Sequence, residues 1–255
     1  MQMSRLPTGV RGFDEIVGGG LMAGRVYIVT GPPGAGKTTF SVQFIVNGAL
    51  MGENGLYLSL SEPVSNIIED MTNSYKFPIK DLISRNKLFF VDLAPYEENV
   101  ICGDEKVKSY IEKFLTAYTH KIESAEHYFT LTDVYHFLSK ILPPLKIKRL
   151  VIDSVMGLRG ISPETYGKEF IKFMRGLKTF NVTTLIISEM YETLKYQPEH
   201  FMAHGLIVFH HFLHEGRMVR GVQVLKMRGT RHSEDIFEVV FTSSGLEVTK
   251  RVIQI

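Results

Sequence analysis

A chain of 255 residues with 44% hydrophobic and 22% charged side chains is long enough for one large α/β domain and too apolar to remain disordered. Its formal net charge of +2 lacks the basic bias of a dedicated nucleic-acid binder, so nucleic acid is not an expected partner. A single cysteine, Cys102, excludes an internal disulfide and any multi-cysteine zinc site, and fits a reducing compartment.

The opening residues "MQMSRLPTGVRGF" show neither an apolar leader nor a cleavage-like site, and no apolar run approaches the roughly 20 residues needed to span a bilayer. A cytoplasmic location without a membrane span is expected. No repeat of solenoid period and no Pro/Gly/Ser-rich linker divides the chain.

The elements then alternate. "VYIVT" (26–30) is a β-rich run, followed by a glycine loop and by "KTTFSVQFIVNGALMG", in which Phe40, Phe44 and Ile45 recur at helical spacing before Gly52. "LYLSL" (56–60) is the next strand, "VSNIIEDMTNSY" a short helix and "KLFFVDL" (87–93) a third strand. Such alternation predicts parallel strands joined by crossover helices. A less regular stretch contains two helical patterns, "VKSYIEKFLTAYTH" and "TDVYHFLSKILPP", the second with Thr132 as N-cap and Val134, Phe137, Leu138, Ile141 and Leu142 on one stripe. "RLVIDS" (149–154) is a buried strand, residues 164–180 form a helix with Tyr166, Phe170, Phe173, Met174 and Leu177 facing inward, and "VTTLIIS" (182–188) is a strand. Beyond it, "GLIVFHHFL", "RMVRGVQVLKMRG", "DIFEVVFT" and "LEVT" are separated only by turns, so the parallel core continues into antiparallel strands at one edge.

"GPPGAGKT" (31–38) fits G-x-x-x-x-G-K-[ST] and lies directly after a strand and before a helix. The loop Gly31, Pro32, Pro33, Gly34, Ala35, Gly36 lets the backbone wrap a phosphate closely, and the helix beginning at Lys37, Thr38 and Thr39 adds positive potential at its N-terminus. Lys37 supplies a point charge for the β- and γ-phosphates, and the Thr38 hydroxyl is a ligand for Mg²⁺. A second Mg²⁺ ligand is expected at the end of a neighbouring strand, where "RLVIDS" places Asp153. Mg-nucleotide binding is therefore expected.

"LPTGVRGFDEIVGGGL" (6–21), "GPPGAGKT", "VIDSV" (151–155), "TTLIISE" (183–189) and "VLKMRGTRHSED" (224–235) together resemble, in order and spacing, the RecA-like ATPases of the KaiC type, including single-domain archaeal members. The resemblance covers the chain except roughly 97–135, which is longer than the usual family segment. It implies one P-loop domain over 1–255, a twisted, mainly parallel sheet flanked by helices, ATP at the carboxyl edge of that sheet, and often a homo-oligomeric ring of six subunits with ATP at each interface. In the family, the lysine and arginine of "LK-x-RGT" reach the nucleotide of the adjacent subunit; carried over, these are Lys226 and Arg228. From the strand pattern alone these two share one face, either as charges that keep an edge strand from pairing or as groups turned toward an anion of this chain or another. His232 falls at the family's histidine position, with a turn role as the alternative.

Hydrolysis needs a carboxylate that orients the attacking water. The family resembles a Glu-Glu pair after the second strand, whereas "LYLSLSEP" has Ser61 at the first position and leaves Glu62, which on a fully extended backbone would face away from the lost side chain. Glu189, ending "TTLIISE", is a second candidate for sensing the γ-phosphate. Slow ATP turnover with good affinity is expected. His210, His211 and His214 are too far apart or oppositely directed on a strand to share one metal. Ser162, Thr165 and Tyr166 do not match the self-phosphorylation sites of KaiC proteins closely.

Three function classes follow. The first is a slow, oligomer-dependent ATPase acting as a switch; the second an ATP-locked assembly module with negligible hydrolysis and a protein partner; the third a single-stranded DNA binder. The last would use loops holding Arg159, Tyr191, Lys195, Tyr196 and Phe201, where Glu192 and Glu199 offset the lysine.

Overall fold

The computed structural model describes residues 4–93, 100–123, 130–155, 163–189, 202–214 and 216–254. Strands β1 (Arg5–Leu6) and β2 (Leu21–Met22) pair antiparallel on either side of a single helical turn, α1 (Phe13–Ile16). Next come β3 (Val26–Gly31), α2 (Lys37–Leu50), β4 (Asn54–Ser59), α3 (Val64–Ser74), α4 (Ile79–Ser84) and β5 (Leu88–Asp92). The chain continues through β6 (Val100–Ile101), α5 (Glu105–Glu123), α6 (Leu131–Ile141), β7 (Ile147–Asp153), α7 (Pro163–Leu177) and β8 (Thr183–Glu189). It closes with β9 (Gly205–His214), β10 (Arg217–Met227), β11 (Phe237–Thr242) and β12 (Gly245–Val252).

Among the described residues, ten strands form one sheet in the order β12, β11, β10, β9, β3, β8, β7, β4, β5, β6. The stretch from β9 to β5 is parallel throughout, and antiparallel strands flank it on both sides. Every residue of β3 is buried, because helices cover both faces of the sheet. Alternation along the strands divides the core. Tyr27 and Val29 of β3, with Tyr57 of β4, pack against Phe40 and Phe44 of α2 and Ile67 of α3. Val26 and Ile28, with Leu56 and Leu58, pack on the opposite face with Phe137 of α6 and Phe170 and Met174 of α7.

The expected elements are present, with two corrections. Helix α6 begins two residues earlier than the spacing suggested: its N-cap is Thr130, not Thr132. The Thr130 hydroxyl accepts the Asp133 N–H at 3.2 Å, and the Asp133 carboxylate accepts the Thr130 N–H at 3.0 Å, a reciprocal arrangement that Thr132 has no partner to match. Secondly, β10 is not the outermost strand of the sheet: it lies between β9 and β11, although β11 pairs with it only at Gly221 and Val222 and Lys226 is paired on the β9 side alone. The two helical patterns of the less regular stretch fall in α5 and α6, and α5 packs on the sheet through Ile111 and Leu115. Among the described residues no helix is long and apolar enough to cross a membrane.

Candidate functional site

The carboxyl edge of the parallel strands brings the phosphate loop and its expected carboxylate together. Gly31 ends β3, and Lys37 opens α2. Two glycines in this loop are sterically required. A Cβ on Gly31 would lie 2.2 Å from the Phe209 carbonyl oxygen of β9, and Gly36, the N-cap of α2, has a φ of 111°. Lys37 is buried, and its Nζ donates to the carbonyls of Gly31 at 2.8 Å and Pro32 at 2.9 Å, so the ammonium is held inside the loop's curve. Pro33 and Gly34 are exposed at its rim, while Ala35 and Thr39 are buried beneath it.

Thr38 Oγ1 donates to Asp153 Oδ2 at 3.3 Å across 115 positions of sequence. The register of β4 against β7 sets Ser59 beside Asp153, and the Tyr57 hydroxyl donates to that same carboxylate oxygen. A hydroxyl and a carboxylate converging at a helix N-terminus are hard oxygen donors, the chemistry that Mg²⁺ selects when it is shared with a phosphate. The residues present fit that ion.

Past β4 the chain turns. The Ser59 hydroxyl donates to the Glu62 carbonyl at 2.5 Å and accepts the Glu62 N–H at 3.2 Å, while Leu60 N–H donates to the Asp153 carbonyl at 2.6 Å. Since β4 ends at Ser59, residues 61 and 62 lie on a turn, and the opposite-face geometry of an extended strand does not apply to Glu62. Partial burial, then the negative charges of Asp153 and Asp70, raise the Glu62 carboxyl above its ordinary range. Glu189 closes β8 in register with Gly31; its side chain lies outside the described residues.

Lys226 and Arg228 lie elsewhere. Strand β10 returns antiparallel to β9, so Lys226 pairs with Leu206, and Gly205 in turn pairs with Tyr27 near the start of β3. Arg228 N–H donates to the His204 carbonyl, and His204 N–H to the Val26 carbonyl, each at 2.8 Å. At roughly 3.3 Å per residue, a strand rises about 16 Å from Val26, level with Arg228, to Gly31, and about 10 Å from Ile28, which is level with Lys226 through Leu206, farther than either side chain reaches. The pair therefore occupies the amino edge of the sheet, opposite the phosphate loop of its own chain. Arg25, Lys178 and His204 gather there as well. Burial, then Arg228 and Lys178, push the Lys226 ammonium down; burial, then Arg228, Arg25 and Arg175, do the same to Lys178. Burial and the charges of Arg25, Lys178, Arg228 and Lys226 push His204 down to about 4. His232 makes a local contact, Nδ1 to the Ser233 carbonyl at 3.1 Å.

Residues unnoticed in the sequence complete the phosphate side. A cleft of about 410 Å³ is bounded by Gly34, Gly36, Lys37, Thr38, Tyr75, Arg220 and Phe241, among others. Arg220 Nε donates to the Gly34 carbonyl at 2.9 Å, its guanidinium lies 5.0 Å over the Phe241 ring, and Tyr75 stacks on that ring at 6.3 Å. Arg220 read only as one more strand residue, and Tyr75 as a helix end; nothing in their spacing signals a meeting.

His210 Nε2 meets Gln223 Oε1 at 3.1 Å, and among the described residues no group of three or more His, Cys, Asp or Glu is placed to hold a metal. Arg159, Ser162, Tyr191, Glu192, Lys195, Tyr196, Glu199 and Phe201, and the side chain of Thr165, lie outside the described residues.

Comparison with known proteins converges on one family. The family model described as "ATPase: KaiC" matches residues 6–252. The chain is similar to the circadian clock oscillator protein KaiC of Prochlorococcus marinus, 27% identical over 255 residues that cover 97% of this chain and 46% of that protein. It is similar likewise to that of Synechococcus elongatus, 26% identical over 253 residues, 96% of this chain and 44% of that protein. It thus spans a little under half the length of these relatives. Among solved structures, a KaiC-like protein of the hyperthermophilic archaeon Pyrococcus horikoshii OT3 matches at TM-score 0.77 and 26% identity, covering 97% of this chain and 99% of that one.

Proposed function

Because the chain belongs to the KaiC family of ATPases and is a RecA/KaiC-type P-loop ATP-binding protein, we propose that it is a slow, assembly-dependent ATPase with a switch role, whose complete site is shared between two copies. One observation carries this reading. The phosphate loop and the Lys226–Arg228 pair lie at opposite edges of one sheet, so the cations meet a nucleotide only when the amino edge of one copy faces the carboxyl edge of the next. Successive head-to-tail contacts of that kind form a closed ring when the rotation permits, and a ring of six is the form proposed.

In this reading the loop N–H groups and Lys37 hold the β- and γ-phosphates of ATP, and Thr38 and Asp153 are the residues that would hold Mg²⁺. When bound, Mg²⁺ supplies positive charge that offsets charge on the phosphate oxygens. Arg220, Tyr75 and Phe241 offer the nucleoside a flat, cationic and aromatic wall. Glu62 accepts a proton from the attacking water, a role its raised pKa suits, with Glu189 as the second candidate. Lys226 and Arg228 of the neighbouring copy stabilise charge on the transferring phosphoryl group.

Ser61 supports a second reading, in which ATP locks the assembly and is scarcely hydrolysed. Binding to the assembled form alone stabilises it by mass action without turnover. Molar mass in solution, measured with and without Mg-ATP alongside steady-state phosphate release, separates the cases. Assembly with Mg-ATP together with release abolished by Arg228→Ala supports the shared ATPase site. Assembly with negligible release in the unaltered protein supports the locked module. A monomer under both conditions overturns both.

A further inference from the structure

We propose that Tyr57 is a positioning residue for the cation site, acting through Asp153; the proposal rests on the assignment of Thr38 and Asp153 to Mg²⁺. Tyr57 is fully buried on β4, one strand over from β7, with its ring stacked on Phe90 at 5.6 Å and packed in the core beneath α2. Phe90 and the surrounding core hold the ring in place, so the hydroxyl is delivered from a rigid strand rather than a loop.

That hydroxyl donates to Asp153 Oδ2, the oxygen that also accepts from Thr38. A phenol is an O–H donor at neutral pH, its ordinary pKa being about 10. A carboxylate at the end of a strand turns about its last side-chain torsion, which is broad and weakly preferred. A fixed O–H donor removes that freedom. With one edge of the carboxylate committed to Tyr57 and Thr38, the orientation of its remaining lone pairs is set by the sheet itself. Outer partners of this kind orient ligating groups, and their loss typically weakens metal affinity by about 10–100-fold.

The backbone supports the same geometry. Leu60 N–H donates to the Asp153 carbonyl, and Leu93 N–H to the Ser59 carbonyl at 3.0 Å, so the ends of β5, β4 and β7 are tied together around the carboxylate. A residue that served only to fill the core would need the ring and not the hydroxyl.

The test uses Tyr57→Phe, which keeps the ring, and Asp153→Asn. Mn²⁺ is titrated by electron paramagnetic resonance in the presence of ADP, and ADP affinity is measured separately in cation-free buffer. The expected result is Mn²⁺ affinity about tenfold weaker in Tyr57→Phe, with cation-free ADP affinity unchanged. In the Asp153→Asn background, Tyr57→Phe should have no further effect, as a double-mutant cycle requires of a residue acting through another. Wild-type Mn²⁺ affinity in Tyr57→Phe, with a weakened Asp153→Asn, overturns the role of Tyr57 and leaves Asp153 as a ligand. Unchanged affinity in Asp153→Asn overturns the cation assignment itself. Equal loss of cation-free and cation-dependent ADP binding in Tyr57→Phe identifies a packing role and also overturns the proposal. Should Tyr57→Phe not fold, Tyr57→His, which keeps a ring and an N–H donor, is compared with Tyr57→Leu by the same titration: a Mn²⁺ affinity no better in the histidine variant overturns it.

Discussion

The backbone N–H of Arg228 donates to the carbonyl of His204 at 2.8 Å, and His204 in turn donates to Val26 at the first residue of β3. These bonds fix the cationic end of β10 at the foot of the strand whose other end is the phosphate loop. A sheet rigid along six residues of β3 cannot bring the two together within one chain. In the shared-site reading proposed above, this separation makes catalysis conditional on a second copy.

That condition predicts complementation. Arg228→Ala should lower phosphate release on the order of a hundredfold or more, as the loss of a cation on the transferring phosphoryl group does in related chemistry. Lys37→Ala should abolish it from the other side. A mixture of the two variants contains interfaces in which an intact phosphate loop meets an intact Arg228, and release should recover to a fraction set by the mixing ratio. No recovery at any ratio, with mixed assembly verified, would place both residues in one chain's site.

The contrast between these groups shows what was legible in the sequence. The phosphate loop is a local motif, with its glycines and Lys37 within eight positions, and Asp153 follows from the rule that ligands gather at the carboxyl ends of parallel strands. The alternating elements were legible because both faces of the sheet are covered and each strand reads as a continuous apolar run. Lys226 and Arg228 were visible as an unexpected pair of cations, but which edge they occupy depends on β9 lying beside β3, a long-range pairing that leaves no local signal. Tyr57 and Arg220 are further cases: each meets its partner through strand register or a loop crossing, and neither type nor spacing marks it. An apolar stripe that begins at Val134 points to Thr132 as the cap, whereas the reciprocal bonds between Thr130 and Asp133 start the helix at Leu131.

Glu62 gives two readouts. If Glu62 takes a proton from water as proposed, its replacement by Gln should depress phosphate release by about 10²–10⁴-fold while ATP binding persists. Stability should move the other way. The folded protein raises the Glu62 pKa, so the protonated form is the one the fold favours; its contribution is fully present below the unfolded pKa and is lost as pH rises through the folded value. Glu62→Gln, neutral throughout, should therefore show a slightly higher Tm than the unaltered protein at pH 7 and none of that advantage in acid. A lower Tm at pH 7 would show that the ionised carboxylate is held by a stabilising partner.

Arg149 supports a prediction about the scaffold beneath the loop. It is fully buried on β7, with Nε on Glu53 Oε2 at 2.5 Å, one terminal nitrogen on the Pro7 carbonyl at 2.7 Å and on the Phe44 carbonyl at 2.9 Å, and its guanidinium 4.7 Å over the Phe44 ring. Phe44 and Gly48 belong to α2, and a Cβ at Gly48 would lie 2.3 Å from that Nε. Removing Glu53 leaves the cation buried without its counter-charge. Glu53→Ala should cost about 3 kcal/mol, whereas Arg149→Met, which removes the charge and keeps much of the volume, should cost less. Denaturant midpoints of the two variants check the order.

His204 sits where the cations converge, and its titration reports on them. Arg25, Lys178, Lys226 and Arg228 face it from the start of β3, the turn after α7 and the end of β10, and burial adds to their effect. The imidazole is held neutral down to about 4, below the 6.5 of a free histidine. Between these values the unfolded chain binds a proton that the folded chain does not, so stability is fully present above pH 6.5 and falls as pH drops toward 4. His204→Gln carries no such proton. The difference in denaturant midpoint between the unaltered protein and His204→Gln should be constant from pH 7 to 8 and shift against the unaltered protein on acidification, with a slope approaching one proton per molecule near pH 5. The other histidines titrate in both proteins and cancel in the comparison. A difference that does not change between pH 7 and pH 5 would mean that His204 accepts its proton in the folded state as readily as in the unfolded one, which four neighbouring cations oppose.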